Sequence, residues 1–516
     1  MLGMDRLGAH TKRNREVLVD SAKRSMWSAV PVALSAMVAL LLAQTAAAGT
    51  NNKNLPDEKA KAAVDEIFDD LTKAGSPGCA LAVARDGKIL YEKGYGLANI
   101  EQNVAITPQT VFDIGSTSKQ FTAASILLLE KQGKLSVNDD VRKYLPELPD
   151  YGKKITILHL LNHTSGLRDY LELMTLAGIN IDGVTDDDDA LGIIARQKAL
   201  NFEPGSEWLY SNSGYFLLSV IVKRVSGKTL AAFATENIFQ PLGMTQTLYR
   251  DKHTQLVANR ALAYDEKDRG AGYALAVSYF EQTGDGAVHT SVEDILKWDE
   301  NFYSGQVGGA AFSAELQENG HLNNGKKLDY AKGLVVASYR GLPWVSHGGA
   351  WGGYRAQLAR FPQQHFSVVC LCNVGNANPS KRAMRVADVY LGSLMKEKTV
   401  KEAAGEAGPP KKPVVTLAPE QMSGLEGEYH SEELNVTYTL ALQTGTLKVK
   451  KVGSSAAFVR NGILPADSFA ATEKDHFAMR EGGISVRFER DANGRVKGFV
   501  LDAGRVQGIF FAKLAG

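Results

Sequence analysis

Cysteine is scarce in this chain, three in 516 residues. Three cysteines cannot build a disulfide framework, so a packed apolar core has to carry the fold. Cys370 and Cys372 alternate along "FSVVCLCNV" and point to one face of a predicted strand. Buried apolar packing accounts for them better than metal binding by a lone C-x-C. Pairing of Cys79 with either one is open in an oxidising compartment. An excess of one charge is also missing. Lys and Arg number 58 against 57 Asp and Glu, a formal charge of +1 with no long basic stripe, which argues against nucleic acid as a partner. The Glu of H-E-x-x-H is absent between His159 and His163, so their helical spacing is assigned to structure and not to zinc. A G-x-S-x-G nucleophile elbow is absent too, and no repeat spans the chain.

What is present is a globular composition, 44% hydrophobic, on a chain long enough for two or three compact units. Basic residues, Lys12 to Arg24, precede the apolar run "MWSAVPVALSAMVALLLAQTAAAG", which ends in Ala46-Ala47-Ala48. That order reads as a secretory signal over 1–48, cleaved near Ala48, with an uncleaved membrane anchor as the alternative. The long basic lead leaves Met26 as a second candidate start, and no cysteine near the cut supports a lipoprotein. The expected location is periplasmic or extracellular.

A first unit is expected over 56–398. It opens with a helix in "PDEKAKAAVDEIFDDLTKAG" and a hairpin in "GCALAVARDGKILYEKGYG", turning at Asp86-Gly87. A helix over Thr117–Gln132 follows, with Gly133 as its C′ residue. More helices occupy the middle, and late strands around "WVSHGGAWGGYRAQLARFPQQHFSVVCLCNV" precede a closing helix in "PSKRAMRVADVYLGSLMKE". Strands at both ends with helices between predict an α+β unit whose terminal strands share one sheet. "KEAAGEAGPPKKPVV" is a linker by composition, over 399–415. From 416 to 516, short alternating runs with turn signals predict a small antiparallel β-barrel or sandwich.

In "FDIGSTSKQFTAASILLLEKQGKL", Ser116 and Lys119 share a helix face. A serine hydroxyl needs a neighbouring base, and a lysine can serve once burial lowers its pKa. Gly115 lets the backbone crowd close, and the helix N-terminus favours developing negative charge. "PGSEWLYSNSGY" adds Tyr210-Ser211-Asn212, and "VSHGGAWGGYR" adds His347-Gly348-Gly349 on a predicted strand. "TDDDDA" is read as a Thr185 cap with an acidic first helical turn, not a calcium loop.

S-x-x-K, Y-x-N and H-x-G, in this order, resemble the class C β-lactamase family and its relatives among penicillin-binding D-peptidases and esterases. "ITILHLLNHTSGL", "NIFQPLGMTQT" and "GAVHTSVEDILKW" support the likeness, which runs from about Ala62 to Leu394. The resemblance implies a β-lactamase/D-peptidase-like fold, no metal and no organic cofactor. It makes Ser116 the acylated nucleophile, and has Lys119 and Tyr210 share proton transfer, either being the main base. Asn212 would contact the substrate amide, His347 and Gly349 would line the site, and the N–H groups of Ser116 and Ala350 would form an oxyanion hole, about 3 kcal/mol per donor. His347 stands where β-lactam hydrolysers of the family commonly have lysine, which favours a peptidase or esterase over a β-lactamase. The C-terminal unit resembles the lipocalin-like modules appended to some of these hydrolases, either binding a small molecule or narrowing the cleft. The expected partner is a small-molecule or peptide substrate, cell-wall-derived peptides included; a non-catalytic penicillin- or wall-fragment-binding sensor is the alternative.

Overall fold

The computed structural model describes residues 57–397, 414–443, 446–452, 468–479 and 483–515. The expected signal over 1–48 lies outside the described residues, as does the expected linker up to residue 413. Helix α1 (Asp57–Ile67) comes first, with Val64, Ile67 and the following Phe68 buried. Strands β1 (Cys79–Arg85) and β2 (Lys88–Tyr95) form the expected hairpin. Its Asp86 and Gly87 both take positive φ, 52° and 70°, the backbone that matches strand twist in a two-residue turn.

The middle of the chain supplies helices α2 (Lys119–Lys131), α3 (Tyr170–Leu176) and α4 (Asn212–Ser226). α2 and α4 are buried along most of their length, so apolar residues surround them on every side. The acidic helix after Thr185 corrects the sequence reading. Asp186 is the cap, accepting from Asp188 and Asp189 N–H, while Thr185 is buried with its hydroxyl on Gln282. Asp outcompetes the expected Thr because a carboxylate can accept both N–H groups at once.

Strands β3 (Val335–Tyr339), β4 (Leu342–Trp351), β5 (Tyr354–Phe361) and β6 (Phe366–Cys372) then join the first hairpin in a six-stranded antiparallel sheet, ordered β3-β4-β5-β6-β1-β2. The terminal strands thus share one sheet, as the α+β pattern required. Helix α5 (Pro379–Leu391) covers β5 and β6. The register settles the cysteines. Cys79 lies opposite Cys372, Cα to Cα 4.0 Å, and bonds to it, whereas Cys370 faces Leu81 and stays a buried thiol.

The C-terminal unit is a closed antiparallel barrel of eight strands, β7 (Gly427–Ser431) to β14 (Val506–Lys513). Two of them, Gly427–Ser431 and Ser468–Glu473, are short, of five and six residues. Aromatic rings fill the interior: Phe499 stacks on Phe511 at 4.7 Å and packs on Tyr429 at 5.0 Å. Barrel and hydrolase unit share one contiguous apolar core. The Tyr438 hydroxyl donates to Leu176 O at 2.6 Å across the junction. Arg168 crosses there too: it pairs with Glu433 at 2.5 Å, both side chains nearly inaccessible, and donates to Gln507 O and Gly508 O.

Removing one partner of a buried ion pair leaves the other charge uncompensated. Arg168→Ala is therefore expected to cost about 3–5 kcal/mol of unfolding free energy in urea titration, far more than truncating an exposed arginine.

Candidate active site

The turn Gly115–Ser118 delivers Ser116 to the entrance of α2 and places Lys119 in its first turn. Strand β4 presses directly on that turn. A Cβ on Gly115, at φ 47°, would stand 2.6 Å from Ala350 N, and one on Gly349 would stand 1.8 Å from Ile114 O. Only glycine fits at both places, and the fit brings the Ala350 backbone against the nucleophile turn. Ser116, Tyr210, His347, Gly349 and Ala350 line one cavity; Ser116, Tyr210, Asn212 and Ala350 line a second. The structure thus gathers every residue singled out from the three motifs.

Lys119 is fully buried. Its Nζ lies 3.0 Å from Ser116 Oγ, 2.9 Å from Asn212 Oδ1 and 2.7 Å from Asp285 O. A charged ammonium would commit all three protons to these acceptors. A neutral amine keeps two N–H bonds for Asn212 and Asp285 and turns its lone pair to the serine hydroxyl. Burial brings the Lys119 pKa down to about 7; the Asp285 and Asp169 carboxylates oppose the shift and Arg505 adds to it. Asp285 itself is pushed up, chiefly by burial.

The Tyr210 hydroxyl is buried without a hydrogen-bond partner. Burial lifts its pKa well above the usual tyrosine value, and the nearby Ser116 hydroxyl only partly offsets this. The phenol therefore keeps its proton, with its ring 4.9 Å from Lys119 Nζ. His163 backs that ring at 4.2 Å, buried and held neutral, with Nδ1 accepting from Ser211 N–H. His159 instead closes a capping box with Thr156, so this pair serves structure, each residue in a different way.

His347 is buried, with its pKa lowered to about 4 by burial and then by Lys119. Its Nδ1 donates to Gly348 O at 2.6 Å and its Nε2 accepts from the Tyr330 hydroxyl at 3.1 Å. The imidazole is neutral and supplies no cation at the place where a lysine was the alternative.

Three further residues complete the arrangement. Asp169 Oδ2 accepts Asn212 N–H at 2.6 Å and sets the start of α4. Asp285 O holds the amine. Arg505 comes from the barrel's last hairpin: it pairs with Asp169 at 3.2 Å and Glu172 at 2.7 Å, lies 5.9 Å from the Tyr210 ring and lines the cavity beside Ser116. Asp169, in "GLRDY", and Asp285, in "GDGAVHT", sit within or beside segments that supported the resemblance. Arg505 has no local signal, because its place depends on how the barrel docks.

The family model described as Beta-lactamase matches residues 64–391. The chain is 32% identical over 328 residues to penicillin-binding protein 4* of Bacillus subtilis (strain 168), covering 60% of this chain and 70% of that one. It is 30% identical over 321 residues to a D-aminopeptidase of Brucella anthropi, covering 61% of this chain and 59% of the relative's length. Among solved structures, the fold is similar to the octameric penicillin-binding protein homologue from Pyrococcus abyssi, with TM-score 0.59, 20% identity, and 89% and 99% of the two chains covered. It is also similar to the D-amino acid amidase from Ochrobactrum anthropi SV3 complexed with L-phenylalanine, with TM-score 0.56, 22% identity, and 65% and 99% covered.

The proximity of Arg505 predicts a pH effect. Only neutral Lys119 can accept a proton, so kcat/KM is expected to rise through pH about 7 as the amine deprotonates. Arg505→Ala removes a cation and unmasks Asp169 and Glu172, both of which favour the ammonium. The rise should then move to higher pH by roughly half a unit or more. Arg505→Lys should restore most of the shift, and a profile unchanged in Arg505→Ala would show that Arg505 only packs.

Proposed function

The chain belongs to the Beta-lactamase family, and from that membership and the site geometry we propose that it is an exported serine hydrolase acting through an acyl-serine intermediate. Its substrates are small amides, D-residue peptides among them, or esters. The observation that carries this reading is the 3.0 Å contact between Ser116 Oγ and a fully buried Lys119 amine whose pKa is brought down to about 7.

Neutral Lys119 takes the Ser116 proton as Oγ attacks the substrate carbonyl. The resulting oxyanion is met by the N–H groups of Ser116 and of Ala350, whose backbone packs directly against Gly115, the residue before Ser116. The leaving nitrogen or oxygen then needs a proton. Tyr210, which stays protonated and has no competing partner, is suited to pass one, and Lys119, now an ammonium, replaces it. Water attacking the acyl-serine reverses these roles.

Three observations support the finer parts of this reading. A neutral His347 gives weak hold on a carboxylate, which supports amide or ester turnover over efficient β-lactam hydrolysis. The aromatic filling of the barrel and the reach of Arg505 into the cavity wall support the barrel as a shaper of the cleft and not a carrier of small molecules. The Cys79–Cys372 disulfide fits an oxidising compartment, in keeping with the N-terminal signal pattern.

Ser116→Ala is expected to lower hydrolysis of D-alanyl-p-nitroanilide and p-nitrophenyl acetate by about a thousandfold or more. Intact mass after penicillin treatment should show an adduct on the unchanged protein and none on Ser116→Ala. Full activity in Ser116→Ala would end the proposal.

A further inference from the structure

The cavity beside Ser116, about 570 Å³, contains chemistry that acyl transfer does not use. Leu171, Leu275, Val277, Phe280 and Trp351 give it apolar wall, yet the same lining includes the side chains of Arg250 and Arg260. Both arginines are fixed through their backbones beside the nucleophile turn. Phe112–Asp113, just before that turn, pairs with Val288–Thr290, which pairs in turn with Leu248–Tyr249. Arg250 follows directly, its N–H on Ala287 O at 2.9 Å. Arg260 is bracketed by two bonds to Val111, from Val111 N to Asn259 O and from Ala261 N to Val111 O.

Neither guanidinium has an acid partner within ion-pair distance among the described residues. Arg250 donates from Nη2 to His253 O, while its Nε is buried with no hydrogen-bond partner. The Arg260 side chain makes no hydrogen bond among the described residues. The acids and bases around them are accounted for. Asp113 faces both arginines, but its carboxylate holds Gly115 N–H at 2.8 Å. Glu281 is taken by Lys252 and His253. His289 stays neutral in its burial. Two fixed cations against one buried acid leave positive charge in excess, facing the cavity that opens on Ser116.

We propose that Arg250 and Arg260 form an anion subsite for the acyl half of the substrate, so that the preferred acyl group ends in a carboxylate reached through an apolar spacer. This rests on the acyl-serine reading above and names the substrate class for it. The cavity is the one bordered by Asn212, Ala350 and Trp351, whereas His347 and Tyr330 line a different one that Tyr210 also borders. The half of the substrate that reaches the arginines is assigned as the half that stays on Ser116, because Asn212, the expected contact of the substrate amide, borders this cavity and not the one with His347. The leaving half lies towards His347, whose imidazole is neutral; the cation bordering the cavity that His347 shares with Ser116 is Arg355, which donates to Gly352 O and Tyr354 O. A planar guanidinium matches a carboxylate through paired N–H bonds, and neither Arg250 nor Arg260 has a carboxylate paired with it among the described residues.

The test compares mono-p-nitrophenyl adipate with p-nitrophenyl hexanoate on the full chain, since the two acyl chains have the same length and differ in one terminal carboxylate. The unchanged protein should favour the adipoyl ester in kcat/KM by about tenfold or more, the scale of one charge-assisted contact. Arg250→Gln and Arg260→Gln should bring the ratio to about one, and the lysine variants should keep part of the preference. A ratio at or below one in the unchanged protein, or a ratio unmoved by both glutamine variants, overturns the subsite. Calorimetric binding of adipate to Ser116→Ala needs no turnover. Binding that is lost with Arg250→Gln sustains the subsite even if neither ester is cleaved through Ser116, an outcome that would end the acyl-serine reading alone. Absence of adipate binding ends the subsite.

Discussion

One amine decides how the rest of the molecule is arranged. Burying a charged ammonium costs several kcal/mol, so Lys119 can lie inside only as a group that sheds its proton readily and has fixed acceptors. Each acceptor passes the constraint outward. Asn212 is positioned by Asp169, Asp169 is paired with Arg505, and Arg505 sits in the barrel's last turn, beside the strand that Arg168 anchors through Gln507 O and Gly508 O. The base at the centre is thereby tied to a unit that the sequence separates from it by a linker.

The two sides of the nucleophile are built differently. Towards His347 the imidazole itself is neutral, buried between a tyrosine hydroxyl and a carbonyl, and Arg355 is the cation bordering the cavity it shares with Ser116. Towards Arg250 and Arg260 the walls are cationic. A family fold that commonly holds a carboxylate on one side of the bond it breaks is here provided with cations on the other. Ser116 and Tyr210 border the cavities on both sides, so one catalytic apparatus serves either arrangement.

The nucleophile, the amine and the Tyr-Ser-Asn element were legible because each is a short local spacing at the start of a helix, where geometry follows from sequence. The hairpin at Asp86-Gly87 and the barrel were legible from alternation and turn residues. What escaped depends on distant partners. Cys370 and Cys372 share one strand face, so alternation could not choose between them; only the register with β1 does. Thr185 and Asp186 are both good caps; Asp186 takes both N–H groups, and the distant Gln282, which occupies the Thr185 hydroxyl, leaves no local trace. Arg505 and the pairing of Asp169 with it follow from barrel docking, which leaves no periodic trace.

The hydrolase sheet is completed by strands from opposite ends of its unit, joined by a disulfide spanning 293 positions. Such pairing has high contact order: β1 is made early and waits, its hydrogen-bonding edge open, until β6 emerges. Arg505 emerges later still. A ribosome-bound or partly threaded chain therefore carries its nucleophile well before the environment that tunes the base. The last hairpin of the barrel brings the cation that helps keep the buried amine neutral, and unfinished copies of the protein lack that adjustment.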